Sequence, residues 1–289
     1  MKTIHTLIKD IYAVVGSKDG WFDQALAQDF SREVGQRLVE SIAPRDKVPA
    51  LRLSKMGECC PCALWHSIHT PELAEPYEPW TLIKFTYGHI LETFVIAMAR
   101  AAGHEVTGEQ DEVILDGVKG HRDCVIDGCV VDVKSVNSMG FQTVKSGMVA
   151  QDIFLRDYLD QLDGYVVASH ADPLVKVKDK GYILAIDKVK GHLALYEHRV
   201  RPDHIRERIA SHKRFVDRDE PLHCTCGTVA DGKSGNIKLD LKASYNNFKY
   251  CCNPNVRKFI YAGGPVYLTK VVRLPDVREV DRYGKTVYN

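Results

Sequence analysis

The sequence has almost no net charge: 39 Lys and Arg against 38 Asp and Glu leave +1 over 289 residues. A bulk positive field for nucleic acid is thereby excluded, and any such surface must be a local patch. No run of about 18 consecutive apolar residues is present, so nothing reads as membrane-spanning. The first twenty residues lack the continuous apolar stretch of a secretory signal, and the expected compartment is the cytoplasm. Internal repeats and low-complexity tracts are missing too. What is there is ordinary: 45% hydrophobic and 27% charged residues, the balance of a globular chain rather than a disordered, collagen-like or disulfide-dense one. The length allows one large domain or two modest ones. Nine cysteines in such a compartment read as thiols or metal ligands.

Residues 3–15 and 22–43 predict helices, parted by the Lys18-Asp19-Gly20 turn, and 49–53 a short extended link. Cys59-Cys60-Pro61-Cys62 opens a helix carrying Leu64, Trp65 and Ile68, and prolines 71, 76 and 79 mark a loop. From Trp80 to Ala102 apolar residues recur at helical spacing, with Gly103 as the stop. Residues 112–136 predict a strand meander, 150–168 a helix, Tyr182–Ile186 with Leu193–Tyr196 a hairpin, and Pro202 onward a basic helix. The rest is Gly/Asn/Cys-rich, then extended from Pro265 to Leu274. The expected organisation is an N-terminal helical arm (1–50), a catalytic core (51–200), and a basic helix with a Cys-rich segment (201–289) that returns to pack on the core.

The informative stretch starts at Gly120 and reads GHRDCVIDGCVVDVKS. Asp127-Gly128 is a two-residue hairpin signal, because a type I′ turn needs positive φ at both central positions. Counting outward, Ile126 faces Cys129, Val125 faces Val130, Cys124 faces Val131, and Asp123 faces Asp132. Opposed residues share a face, and Lys134, two residues on from Asp132, shares it as well. Two carboxylates that close repel unless a cation lies between them. Their oxygens suit Mg²⁺ or Mn²⁺, and a lysine beside such an ion suits phosphodiester hydrolysis. The plainer alternative is a cross-strand charge cluster on a solvated hairpin.

The neighbouring motifs favour chemistry. Glu92 lies on the helix before the meander, in GHILE from Gly88, with Gly88 one turn earlier on the same face. Downstream, Gln161 and Tyr165 stand at i and i+4. The order of Glu on a helix, GxxD, DxK on the next strand and QxxxY on a helix resembles the RecB-type branch of the PD-(D/E)XK nuclease superfamily. Within it the chain looks most like phage-encoded exonucleases related to the nucleases of CRISPR adaptation, over about residues 52–275. The resemblance implies an α/β fold with a restriction-endonuclease-like core, a central mixed sheet flanked by helices. It implies that Glu92, Asp123, Asp132 and the Val133 carbonyl hold a divalent metal, with Lys134 catalytic and Gln161 and Tyr165 contacting DNA. Products would carry 5′-phosphates and 3′-hydroxyls. His89 occupies a position where many relatives place a further ligand, and a solvated histidine is its equal alternative. For Gln161 and Tyr165 the alternative is an exposed helix face.

Many relatives also bind a [4Fe–4S] cluster through one early cysteine and a later C-x2-C-x5-C. Here Cys60 and Cys252 match, but Ala243 and Asn246 fill the other two positions. Loss of the cluster is therefore expected. A zinc site built from Cys60, Cys224, Cys226, Cys251 and Cys252 is the alternative, although C-x-C and adjacent cysteines are not the usual zinc spacing. Cys124 and Cys129 read as small buried strand residues. A DNA path would draw on Lys145, Arg156, Arg199, Arg201, Arg206, Arg208, Lys213 and Arg214. Trp65, Tyr158 and Phe141 are candidates to stack on bases, with core packing the alternative for Trp65. Taken together, the expected function is a Mg²⁺- or Mn²⁺-dependent DNA nuclease, most simply an exonuclease. The rivals are a DNA-binding protein that kept the fold without turnover, and a structural zinc- or cluster-binding interaction module.

Overall fold

The structure is a computed structural model that describes residues 2–21, 23–42 and 49–288. Residues 22 and 43, the expected ends of the second helix, lie outside them. Four helices come first: α1 (Leu7–Val15), α2 (Gln24–Ile42), α3 (Pro61–His69) and α4 (Pro79–Ala101). Strands β1 (Val106–Thr107), β2 (Glu112–Leu115), β3 (Val118–His121), β4 (Cys124–Ile126) and β5 (Cys129–Val136) follow. Then come α5 (Ser138–Lys145), α6 (Asp157–Ala168), β6 (Lys180–Asp187), β7 (Leu193–Arg199) and α7 (Pro202–Val216). The C-terminal part carries β8 (Thr228–Ala230), β9 (Ile237–Leu239), α8 (Leu241–Ser244), α9 (Lys249–Cys252), β10 (Arg257–Tyr261), β11 (Gly264–Lys270), β12 (Glu279–Val280) and β13 (Thr286–Tyr288).

The chain divides into two compact units. One takes the described residues of Met1–Lys47 with Arg52–Gly57 and Pro79–Ile209; the other takes Glu58–Glu78 and the described residues from Ala210 onward, with 49–51.

The first unit is built on a mixed five-stranded sheet of order β1-β4-β5-β6-β7, in which only β5 and β6 run parallel. β5 is buried through Val133, and β6 from Gly181 on, as strands covered on both faces are. On one face Leu7 and Ile11 of α1 and Val95, Ile96, Met98 and Ala99 of α4 form a core with Val131, Val133 and Leu184. By length and composition α4 could cross a membrane; its C-terminal half, with Thr93 and Val95 to Ala99, is buried against this sheet, while Trp80, Leu82, Ile83 and Phe85 of its N-terminal half are exposed. Residues 146 onward lead through the Val149–Gln151 turn into α6, which packs with α5 against β5 and β6.

Three expectations need correction here. The 112–136 stretch is not one meander. β2 and β3 form a separate two-stranded hairpin, and β1 takes the sheet edge beside β4. A second Asp-Gly turn, with φ of 47° at Asp116 and 76° at Gly117, closes that hairpin. It is pressed onto α6: a Cβ on Gly120 would lie 2.8 Å from the Tyr165 ring and 2.9 Å from Leu53. The helix expected from residue 150 begins only at Asp157, because Asp152 Oδ1 accepts the N–H groups of Phe154 and Leu155 and holds a turn. α5 was not expected; Asn137 caps it by accepting the Gly140 N–H, and Phe141 and Val144 anchor it.

The second unit contains a six-stranded antiparallel sheet of order β13-β12-β10-β11-β9-β8, of which only the β11 region was expected. Its small core joins Leu239, Ala243, Val256 and Tyr267. Beside it the buried Glu75 carboxylate is held by the Lys249 and Lys258 ammonium groups and the Tyr267 hydroxyl.

Candidate functional site

The Asp127-Gly128 turn has φ of 51° and 79°, and β4 pairs with β5 as Ile126↔Cys129, Val125↔Val130 and Cys124↔Val131. Asp123 stands one residue beyond the last pair. Its side chain takes the place of the missing ladder partner: Val133 N–H donates to Asp123 Oδ2 at 2.7 Å. The Asp123 main-chain carbonyl accepts the Gln110 N–H at 3.1 Å.

Asp132 is fully buried. Lys134 Nζ lies 3.0 Å from its Oδ1 and 2.9 Å from its Oδ2. Gln161 Nε2 donates to Asp132 Oδ1 at 3.3 Å and to the Tyr165 hydroxyl at 2.9 Å. Apart from the Lys134 ammonium, Asp132 Oδ2 has no polar partner among the described residues, and no solvent reaches it. The Lys134 ammonium sits 4.7 Å from the centre of the Tyr158 ring.

Glu92 arrives on α4. Its Oε1 accepts the Gln110 amide at 2.9 Å and lies 3.8 Å from the Arg37 guanidinium. His89 is half-exposed at the rim, 3.8 Å from Glu92 Oε2. A Cβ on Gly88 would touch Ser135 Oγ at 3.4 Å, so α4 runs against β5 at this point. A cavity of about 450 Å³ opens onto Asp123, lined also by Glu33, Arg37, Thr93, Gln110 and His121.

Electrostatics follow from this crowding. Burial, then the charges of Asp132 and Glu92, push the Asp123 carboxyl well above the usual carboxylate range. Burial also raises Asp132, with Lys134 pulling the other way. For Lys134, burial opposes the charge, but Asp132 and Asp123 outweigh it and hold the ammonium above the ordinary lysine range. Lys134 is therefore a fixed cation in this state.

The structure thus gathers Glu92, Asp123, Asp132, Lys134, Gln161 and Tyr165 into one site, with Val133 tied in through its N–H. Gln161 and Tyr165 are buried and turned onto Asp132 rather than lying on an exposed face. Arg37, Gln110 and His121 were missed. Gln110 could have been suspected from its place before GxxD; nothing in the α2 sequence distinguishes Arg37. Among the candidates for a DNA path, Arg201 is engaged by Asp160 and Asp163, Arg206 by Asp116, and Arg208 by the Met56 carbonyl. Phe141 is buried in the core and unavailable for stacking. Trp65 lies on His69 with ring centres 4.3 Å apart and donates its N–H to the Arg218 carbonyl.

In the second unit Cys60, Cys224, Cys226 and Cys252 bring their sulfurs within 4.8 Å of one another, a set that could hold a metal such as zinc. Cys251, expected among these ligands, is outside the set. Cys124 and Cys129 are buried in the sheet core, as expected.

No family model matches the chain. No curated protein matches it either. Among solved structures it is similar to SSO0001, at 16% identity and a TM-score of 0.44, over 80% of this chain and 98% of that one. It is also similar to the alkaline exonuclease LHK-Exo from Laribacter hongkongensis, at 15% identity and a TM-score of 0.39, over 58% of this chain and 87% of that one. Likenesses this distant leave the function to be argued from the residues.

Proposed function

We propose that the chain is a Mg²⁺- or Mn²⁺-dependent DNA nuclease, acting as an exonuclease. One observation carries this reading. A fully buried carboxylate, Asp132, and a second aspartate of raised pKa, Asp123, share the single ammonium of Lys134 within reach of the Glu92 charge. Carboxylates crowded onto one ammonium repel each other, and a hard cation between their oxygens relieves the repulsion. The donor set fits: Asp123, Asp132 and Glu92 would hold the metal, with the Val133 carbonyl and His89 as further candidates. When bound, such an ion supplies Lewis acidity toward water and phosphate.

The protein's own groups do the rest. Lys134 keeps its proton and presents positive charge where a phosphate gains negative charge in the transition state, and it orients the attacking water. Gln161 holds Asp132 Oδ1 and is itself held by the Tyr165 hydroxyl. Gln110 fixes Glu92. The substrate is DNA, cut to 5′-phosphate and 3′-hydroxyl products, and the motif resemblance supports work in phage DNA metabolism or recombination inside the host cytoplasm.

Digestion of 5′- and 3′-labelled single- and double-stranded DNA, with and without Mg²⁺ or Mn²⁺, tests the reading. Metal-dependent release of nucleotides from one end is expected; binding without any turnover would leave only the fold.

A finer expectation concerns Tyr165. Tyr165→Phe removes the hydroxyl that accepts from Gln161 and leaves the buried ring. A typical hydrogen bond contributes about 1 kcal/mol net, so turnover should fall about 3- to 10-fold with little change in melting temperature. An unchanged kcat would separate Gln161 orientation from the chemistry.

A further inference from the structure

The thiol cluster of the second unit decides between two kinds of metal centre by distance alone, independently of the nuclease reading. The Cys60 sulfur lies 3.7 Å from Cys252, 3.7 Å from Cys226 and 4.0 Å from Cys224. Four thiolates on one zinc, each about 2.3 Å from the ion, stand about 3.8 Å apart at the corners of a tetrahedron. In a cubane cluster each thiolate caps a different iron, which spreads the sulfurs to roughly 6 Å. The set here, all within 4.8 Å, has no room for a cube.

The surroundings agree. Of the C-terminal positions where related nucleases carry cluster ligands, Ala243 is buried in the small apolar core and has no donor. Asn246 is not a ligand but a hydrogen-bond donor to the ligands. Its Oδ1 accepts the Phe248 N–H at 2.8 Å, which turns its amide nitrogen to Cys226 Sγ at 3.5 Å and Cys252 Sγ at 3.6 Å. The Cys226 N–H points to Cys224 Sγ at 3.2 Å, and Asn253 Nδ2 lies 3.8 Å from the same sulfur. Donors of this kind spread the negative charge that four thiolates concentrate on one divalent ion.

From this geometry we infer that Cys60, Cys224, Cys226 and Cys252 hold a single structural zinc ion, in place of the [4Fe–4S] cluster, with Asn246 as its outer-sphere donor. The two ligands spaced C-x-C replace the two lost positions. The ion ties α3, the 224–226 segment and α9 within the second unit.

The test is elemental analysis of the full-length protein, expressed with iron and zinc both supplied and purified without oxygen. The expected result is about one zinc per chain, no inorganic sulfide and no brown colour. Cobalt(II) exchanged into the site should show the visible bands of a tetrahedral thiolate complex. Titration of the wild-type protein with a mercurial should release its zinc as four thiols react, and this needs no variant to fold. Cys224→Ser and Cys252→Ser should lose zinc at least tenfold in occupancy, Cys251→Ser should keep it, and Asn246→Ala should keep it but release it several-fold faster to a chelator. About four irons per chain with a brown spectrum, failure to take up zinc on reconstitution, or zinc loss in Cys251→Ser would each overturn the assignment.

Discussion

Lys134→Ala is expected to lower the rate of DNA cleavage about a thousandfold, the scale of removing one charged donor aimed at transition-state charge. Binding of DNA should change far less, because a single ammonium at the reacting phosphate acts chiefly in the transition state. Folding is not untouched. Lys134 is the cation against which Asp132 is buried, at 2.9–3.0 Å from both carboxylate oxygens. Alanine leaves that carboxylate uncompensated, and breaking a buried pair from one side costs about 3–5 kcal/mol. Added Mn²⁺ should return most of that stability without returning the rate. Single-turnover kinetics at saturating enzyme, alongside thermal melts with and without Mn²⁺, separate the two effects. Cleavage at the wild-type rate would remove Lys134 from the mechanism. A melt that Mn²⁺ does not raise would place the metal elsewhere.

The centre of this site was legible because it is local. The Asp127-Gly128 turn is dictated by backbone sterics, and counting from it sets the register up to Cys124↔Val131, one residue short of Asp123 and Asp132. The same reasoning could not show that β2 and β3 leave the sheet, because that depends on Gly120 meeting Tyr165 and Leu53, residues far away in sequence. Nor could it find the parallel pairing of β5 with β6, whose crossover spans two helices. The inward turn of Gln161 and Tyr165 follows from burial of α6 on every side from Gln161 to Val167, and i, i+4 spacing does not say which way a face looks. Arg37 reaches Glu92 only because α2 lies along α4, a packing choice between two helices of mixed composition. The second unit was hardest. Its strands are two to seven residues long, too short to alternate convincingly. Cys252 was matched to a ligand position and Cys251 only offered as a further thiol; neighbours on a helix point about 100° apart, so α9 aims one of the two at the other thiols.

Asp123→Asn should make the metal-free protein more stable while abolishing its response to metal. In the parent chain Asp123 sits against Asp132 and Glu92, and its pKa is raised by burial and by both charges. The raised value means that folding favours the protonated form, so this group's contribution is fullest below the ordinary carboxylate range. That contribution is lost as pH rises through the elevated value, and above it the folded chain carries an opposed carboxylate pair. Asparagine keeps an oxygen to accept the Val133 N–H and leaves Lys134 its partner in Asp132, so the hydrogen bond and the ion pair both survive. What disappears is the repulsion, worth roughly 1 kcal/mol or more at such contact, or a few degrees in melting temperature. At pH 8 and without added divalent metal, Asp123→Asn should melt above the parent, and the gap should close as pH falls toward 4. With saturating Mn²⁺ the order should reverse, because the parent gains RT ln(1 + [L]/Kd) and the variant gains little. Metal affinity of the parent should rise with pH, since the ion must displace the proton that Asp123 holds. Calorimetric titration with Mn²⁺ at two pH values and melts of both proteins supply every term. An Asp123→Asn protein that binds Mn²⁺ as tightly as the parent, or that melts lower without metal at pH 8, would show that Asp123 is neither the ligand nor the strained charge described here.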